Sequence, residues 1–360
     1  MAMTESGERL GASVWDGVIG QHDAIRRLRA SAANPLHAYL FVGPPGSTKN
    51  EAARSFAALL LAGVDDPEQR DARLALAGQH PDVREFARVG AAISKDQADE
   101  IVRLAALAPN EGDRKVLILD EFHLLSPEAS AKLLKTIEEP PPSTVFIVLA
   151  DFMPPDLVTI ASRCIRVEFQ PIHHDVILNT LLSEGTAPDR AAEAADAAGG
   201  DLTRARLLAS DTHLAARRAM FATAPQRLDG TGRAVVATVD ALLGEIEAAA
   251  APLAERHTQE VQALEDRIAS LGERGSGKKA LEERHKRELR RHRIDELRAG
   301  LATLAGAYRD ALVAGSLARP DAAATAIKRI HAALEALDRN PNEQLMLQAL
   351  LLELPTLQPA

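Results

Sequence analysis

Tyr39-Leu-Phe-Val-Gly43-Pro-Pro-Gly46-Ser-Thr48-Lys49-Asn50 is the stretch from which the rest of the chain can be read. A short apolar run rich in β-forming residues ends in a loop with two glycines, and a helical pattern opens just beyond. A strand, a tight turn and a helix N-terminus in that order bring backbone N–H groups and the positive end of a helix dipole to one point, which is how a phosphate is cradled. Against the template G-x-x-x-x-G-K-[ST], Gly43 and Lys49 stand in place, with Gly46 between them, and two positions depart. Thr48 occupies the second glycine position and adds a Cβ where the backbone should curl around a phosphate. Asn50 replaces the hydroxyl that would ligate Mg²⁺, and an amide is a poorer ligand for so hard a cation. Two readings stay open from these residues: a strand-to-helix turn without a ligand, or weak binding of ATP or ADP with Mg²⁺ accompanying the nucleotide.

Further along, Val116-Leu-Ile-Leu-Asp120-Glu121 supplies the other half of such a site: four apolar residues, then two carboxylates at the end of the strand. In open α/β sheets, ligands bind at that edge. Asp120 would hold Mg²⁺ through water and Glu121 would orient an attacking water. Acids at a strand end also serve as helix caps, and Lys49 upstream favours the phosphate reading.

Around these two segments the pattern alternates apolar runs with amphipathic helices as far as Gln170, which predicts an α/β domain over 1–170 built on a five-stranded parallel sheet. The strand candidates are Tyr39 to Val42, Val83 to Phe86, Val116 to Leu119, Val145 to Leu149 and Ile165 to Phe169. Strand signals then vanish. A small helical lid is expected over 171–212 and an all-α region over 213–360. Leu253, Val261, Leu264, Ile268 and Leu271 recur at helical spacing, as do Leu297, Leu301, Leu304, Tyr308 and Leu312, so a long antiparallel hairpin is expected over about 245–313. The intervening Gly272 to Lys279 also reads G-x-x-x-x-G-K-K, but no strand precedes it, and it reads as a turn.

Composition narrows the class of protein. A chain of 360 residues suits two or three domains. Apolar residues make up 46% and aromatics 3%, a balance that favours helix-rich packing. No run approaches the ~18 uncharged apolar residues of a membrane span, and no basic segment leads into an apolar run at the N-terminus, so neither a membrane nor an export signal is expected. Cys164 is the single cysteine, which excludes an intrachain disulfide and a cysteine-based zinc site. A net charge of −9 argues against a protein that coats nucleic acid by itself. The cytoplasm is the expected compartment.

Several segments carry a resemblance: Gly78-Gln-His80-Pro81-Asp82-Val83, Lys115 to Glu121, Ala131-Lys-Leu-Leu-Lys135-Thr-Ile-Glu138-Glu139-Pro140-Pro141, and Thr159-Ile-Ala-Ser162-Arg163-Cys164. In that order and spacing, together with Val18 to Gln21 and Leu40 to Gly46, they resemble the delta-prime family of bacterial DNA polymerase III clamp-loader subunits, which are AAA+ proteins. The resemblance covers roughly 14–170, and Asn340-Pro-Asn342 before a Leu-rich last helix fits it more loosely. It implies a subunit of a hetero-oligomeric, pentamer-like loader that works with gamma or tau motors and a delta subunit and opens the sliding β-clamp to place it on primed DNA. Such a subunit serves DNA-directed DNA polymerase without independent activity. It also implies that Arg163 is an arginine finger reaching in trans into a neighbour's ATP site, where a fixed guanidinium is worth about 10³ to 10⁵ in rate. Glu121 becomes a vestigial base and Arg204, in Gly200-Asp-Leu-Thr-Arg204-Ala-Arg206, a second sensor.

The chain departs from the family in three places. The four zinc-binding cysteines that many members carry before G-x-H-P-D are missing, so no zinc is expected. Ala150-Asp151 stands where a polar sensor is expected, and Thr48 and Asn50 alter the phosphate loop. These changes point to a subunit that hydrolyses little or no ATP, with a gamma-like or tau-like motor as the alternative. Cys164 reads as a small hydrophobe. The basic run Arg284 to Arg293 reads as a salt-bridged solvent face, with Glu282 facing Lys286 and Glu283 facing Arg287, and the helix Leu345 to Leu354 suits a collar.

Overall fold

The computed structural model describes residues 12–88, 92–271, 277–315, 320–337 and 341–357. It divides into two compact units, Met1–Gly185 with Ala198–Ala205, and Thr186–Ala197 with Arg206–Ala360.

In the first unit, helix α1 (His22–Ala32) leads into β1 (Ala38–Val42), α2 (Lys49–Ala62), α3 (Arg70–Leu76) and β2 (Val83–Phe86). Then come α4 (Lys95–Ala106), β3 (Lys115–Leu119), α5 (Pro127–Glu138), β4 (Thr144–Ala150), α6 (Val158–Ala161), β5 (Ile165–Glu168) and α7 (His174–Ser183). All five strands pair in parallel, in the order β2-β3-β4-β1-β5. Every residue of β1, β3 and β4 is buried, because helices cover both faces of the sheet, and apart from Lys115 and Thr144 at the strand starts these runs are apolar or aromatic. The alternation divides those residues cleanly. Tyr39, Phe41, Val116, Ile118, Val145, Ile147 and Leu149 pack with α1, α2 and α3. Leu40, Leu117, Leu119, Phe146, Val148 and Ala150 pack with α4, α5 and α6 on the other side. Each of the Val, Leu, Ile and Phe side chains among them contributes about 1.5–3 kcal/mol by leaving water.

Local signals set the helix ends. Ser94 and Gln97 form a reciprocal capping box on α4, and Ser126 accepts from Ala129 N at the start of α5, where Pro127 fills the first turn. Gly63, in the left-handed region at φ 71°, closes α2 by donating to Leu59 O. The G-x-H-P-D segment has a structural task. Asp82 is fully buried; its Oδ1 accepts from Asn110 N and Nδ2, and its Oδ2 from Glu111 N and Gly112 N, tying the loop before β3 to the start of β2. Those donors more than offset the burial that would raise it, and hold the Asp82 carboxyl below the ordinary carboxylate range.

The second unit is built from helices. Along the chain they are α8 (Pro188–Ala198), α9 (Leu202–Ser210, whose residues up to Ala205 belong to the first unit), α10 (Leu214–Thr223), α11 (Gly232–Ala248), α12 (Ala251–Leu271), α13 (Lys278–Val313), α14 (Pro320–Ala336) and α15 (Glu343–Glu353). The Leu297, Leu301, Leu304 and Tyr308 stripe is completely buried, against Phe221, Val239, Leu242, Ile330 and Leu347. On α15, Leu347, Leu350 and Leu351 are core residues, while Leu345 and Leu352 face out. Helices α12 and α13 run antiparallel: His257 Nε2 lies 2.8 Å from Glu288 and His285 Nε2 lies 2.9 Å from Glu260, with the two imidazoles stacked at 3.8 Å. This pairing joins two copies of one pattern, Arg-His-x-x-Glu at 256–260 and at 284–288.

The basic run is engaged as the charge pattern suggested, with different partners in detail. Lys286 pairs with Glu283 at 2.9 Å, one residue nearer than the expected Glu282, and Arg290 and Arg293 hold Glu343 of α15 at 2.7 and 2.6 Å. Of the expected turn, 272–276 lie outside the described residues, as does Asn340. Asn342 caps α15 by accepting from Leu345 N.

Candidate functional site

The strand order decides which residues meet. Strand β4 lies between β1, which leads into the phosphate loop, and β3, which ends in the acid pair, so the loop, Asp120-Glu121 and Asp151 share one sheet edge. Gly43 is required there: a Cβ would lie 2.5 Å from Phe169 O. Gly46 has φ +67°, and a Cβ on it would meet Asp201 Oδ1 at 1.8 Å. Thr48 sits in the left-handed region at φ 59°, the conformation a glycine would adopt freely. Its hydroxyl donates to Ile19 O at 3.2 Å, so it does not cap α2, whose N-terminus has no side-chain cap. The fold thus keeps the curled loop despite the threonine, at the ~1–3 kcal/mol a non-glycine residue costs there.

Each remaining predicted residue of the groove has a protein partner. Lys49 is buried and donates from Nζ to Asp151 Oδ1 at 2.7 Å and to Pro44 O at 3.3 Å. Asn50 Nδ2 donates to Asp120 Oδ2 at 3.0 Å. Burial pushes the Asp120 carboxyl above the usual range, against the bonds from Glu121 N and Asn50. Glu121, at φ 51°, pairs with Arg88 Nε at 3.0 Å. Arg204 stands in the first turn of α9, and its N–H donates to Asp201 Oδ1 at 2.8 Å. The preceding turn touches the loop directly, since Leu202 N donates to Gly46 O at 3.2 Å.

His123 belongs to the same cluster, and no motif marked it. Its Nδ1 accepts from Asp151 N at 3.2 Å and its Nε2 lies 3.8 Å from Asp151 Oδ2. Burial, outweighing the pull of Asp151, moves the imidazole toward the neutral form.

Arg163 lies apart from this groove, between α6 and β5. It is partly exposed, with Nε 2.5 Å from Glu138 Oε1 and Nη1 donating to Thr159 O at 2.7 Å. The guanidinium is thus paired with Glu138 of the L-L-K-T-I-E-E-P-P helix. Next to it, Cys164 is packed in the core face, and burial pushes its thiol up to about 12, so it is no nucleophile.

The donor set answers whether nucleotide and Mg²⁺ fit. The cradle is retained, because among the described residues nothing caps the α2 N-terminus with a side chain and the buried Ser47 Oγ has no hydrogen-bond partner. The cation position is not, because Asn50 offers an amide N–H to the carboxylate that should face Mg²⁺. Among the described residues, Asp71, His80 and Glu111 come close enough to share an ion, their ligand atoms lying within 4.8 Å of one another. Arg70 bridges both acids, at 2.9 and 2.7 Å, and His80 Nδ1 accepts from Asp82 N, so a guanidinium takes the place of a cation.

A five-stranded parallel sheet with this strand order, a phosphate loop after β1, an acid pair after β3 and a helical C-terminal region make up the α/β-then-helical architecture that the motifs implied. Residues 20–173 match the family described as DNA polymerase III, delta subunit. The chain is 30% identical over 161 residues to the DNA polymerase III subunit delta' of Bacillus subtilis, covering 43% of this chain and 48% of that one. It is 36% identical over 178 residues to the subunit tau of the same organism, covering 46% of this chain and 31% of the relative. A solved gamma-subunit-related protein of Thermotoga maritima aligns with TM-score 0.43 and 17% identity over 91% of this chain and 97% of that one. The chain thus spans about a third to a half of the length of these two relatives. Over this region the chain is similar to clamp-loader subunits of the delta-prime type, as the motifs implied.

Proposed function

We propose that this chain is the non-motor, delta-prime-like subunit of a clamp loader serving DNA replication in the cytoplasm. It assembles with gamma or tau motors and a delta subunit around a sliding clamp and primed DNA, hydrolyses little or no ATP itself, and offers Arg163 to a neighbour. The hydrogen bond from Asn50 Nδ2 to Asp120 Oδ2 carries the reading. It joins the two side chains that should both face Mg²⁺, and without the cation the charge that builds on a transferred phosphoryl group goes unneutralised. Arg163 sits on the surface, where its ion pair with Glu138 is worth no more than about 1 kcal/mol and yields readily to a phosphate.

A motor of the gamma or tau kind is the second reading, favoured by the 36% identity to a tau subunit and by the retention of Lys49, Asp120 and Glu121. ATP turnover by the purified chain, alone and reconstituted with motor and delta subunits, separates the two. The isolated chain should be inactive. In the complex, Arg163→Ala should leave assembly intact and lower the DNA-stimulated rate by at least tenfold. Brisk turnover by the isolated chain that Lys49→Ala abolishes would establish the motor instead, and an unchanged rate for Arg163→Ala would remove the finger.

A further inference from the structure

The phosphate loop keeps features that suit an anion. Among the described residues the first N–H groups of α2 have no side-chain cap and Ser47 Oγ, fully buried, has no partner, while Lys49 is buried with its charge. A buried ammonium needs an opposite charge beside it. In this chain that charge comes from Asp151 at the end of β4, 2.7 Å from Lys49 Nζ. His123 braces Asp151 from behind, accepting its backbone N–H and facing its Oδ2. A second carboxylate lies against the loop: Asp201 fills the space over Gly46, and its neighbour Leu202 is hydrogen-bonded to Gly46 O.

We infer that Asp151 is an intramolecular stand-in for a nucleotide phosphate: the loop is a latent polyphosphate site shut by this chain's own carboxylates, and Asp151 decides that it stays shut. This rests on the delta-prime-like reading and adds a cause to it. Thr48 and Asn50 impair the cation and the fit of the loop, whereas Asp151 and Asp201 repel the ligand itself. A triphosphate entering the loop must take Lys49 from Asp151 and leave that carboxylate beside its own negative charge, in a partly buried place where like charges repel far more strongly than in water. The same position carrying a neutral residue would leave Lys49 free for the phosphate.

The test is calorimetric titration of the full chain with ATP, and in a separate arm with inorganic pyrophosphate. Asp151→Asn removes the charge at nearly constant volume, and Asp151→Thr is the second variant should the first not fold by circular dichroism. The expected result is at least tenfold tighter ATP binding by the variant than by the wild type. A further gain should follow in the double variant with Asp201→Asn, which keeps the cap on Arg204 N. Adding Lys49→Ala should erase the gain. Tightening for ATP alone would assign the latent site to nucleotides, and tightening for both ligands to the phosphate chain they share. Equal affinities of wild type and variant, measurable or not, or a gain that survives Lys49→Ala, would overturn the inference. Neither result touches the proposed function, which fails on turnover by the wild type.

Discussion

Replacing Asp82 by asparagine tests whether the G-x-H-P-D segment is structural. The carboxylate is fully buried and accepts four hydrogen bonds, two on each oxygen. Asparagine keeps one carbonyl oxygen for Asn110 and turns an N–H₂ group toward Glu111 N and Gly112 N. Two bonds to a charged acceptor are lost, each worth roughly 1.5–3 kcal/mol, and the exposed loop regains part of that by hydrogen-bonding to water. A net loss of about 3 kcal/mol is expected at pH 7. Urea unfolding followed by the fluorescence of Trp15, the single tryptophan and a buried residue of the same unit, reads it directly. The pH dependence adds a second check. The folded Asp82 carboxyl is held below its unfolded value, so its contribution is complete above the ordinary carboxylate pKa of ~3.9 and drains away as pH falls through the folded value. The gap between wild type and variant should therefore stay constant from about pH 6 to 8 and shrink below about pH 4. A gap under about 1 kcal/mol at pH 7, or one that widens in acid, would refute the cradle.

Gly300→Ala places a Cβ 2.4 Å from the Phe221 ring in the helical core, so it should lower stability by about 1–3 kcal/mol or more, read as a drop in the thermal midpoint by circular dichroism; an unchanged midpoint would contradict that packing. Cys164 should resist iodoacetamide at pH 8 in the folded chain and react fully in urea, because burial holds its thiol at about 12; rapid labelling of the native protein, followed by mass spectrometry, would place the thiol at the surface.

The sheet was legible from residue types. Strands covered on both faces read as apolar runs, as Tyr39 to Val42 does within β1, and the edge strand β2 spans Val83 to Phe86 as expected although Arg84 and Glu85 are exposed. Turn and cap chemistry is equally local, as with Ser126-Pro127 at the start of α5. The groove was half legible: the template placed Gly43, Lys49, Asp120 and Glu121 without indicating what each would touch. Arg163 could be found by its motif, but its resting partner Glu138 lies 25 residues away (163 − 138) on another helix. The basic run showed its own acids, and missed Glu343 on α15.

A strand period, a glycine-bearing turn or a capping serine acts over a few residues, and its physics is written in neighbouring letters. The choice of counter-ion for a buried charge acts through space. Lys49 meets a residue 102 positions away because β4 lies beside β1, and that neighbour could have been any residue at the end of that strand. Asp201 reaches Gly46, and His257 stacks on His285, on the same terms. Chain order foretold a phosphate loop; chain folding put a carboxylate in it, since a buried ammonium takes whichever anion the packing brings within reach.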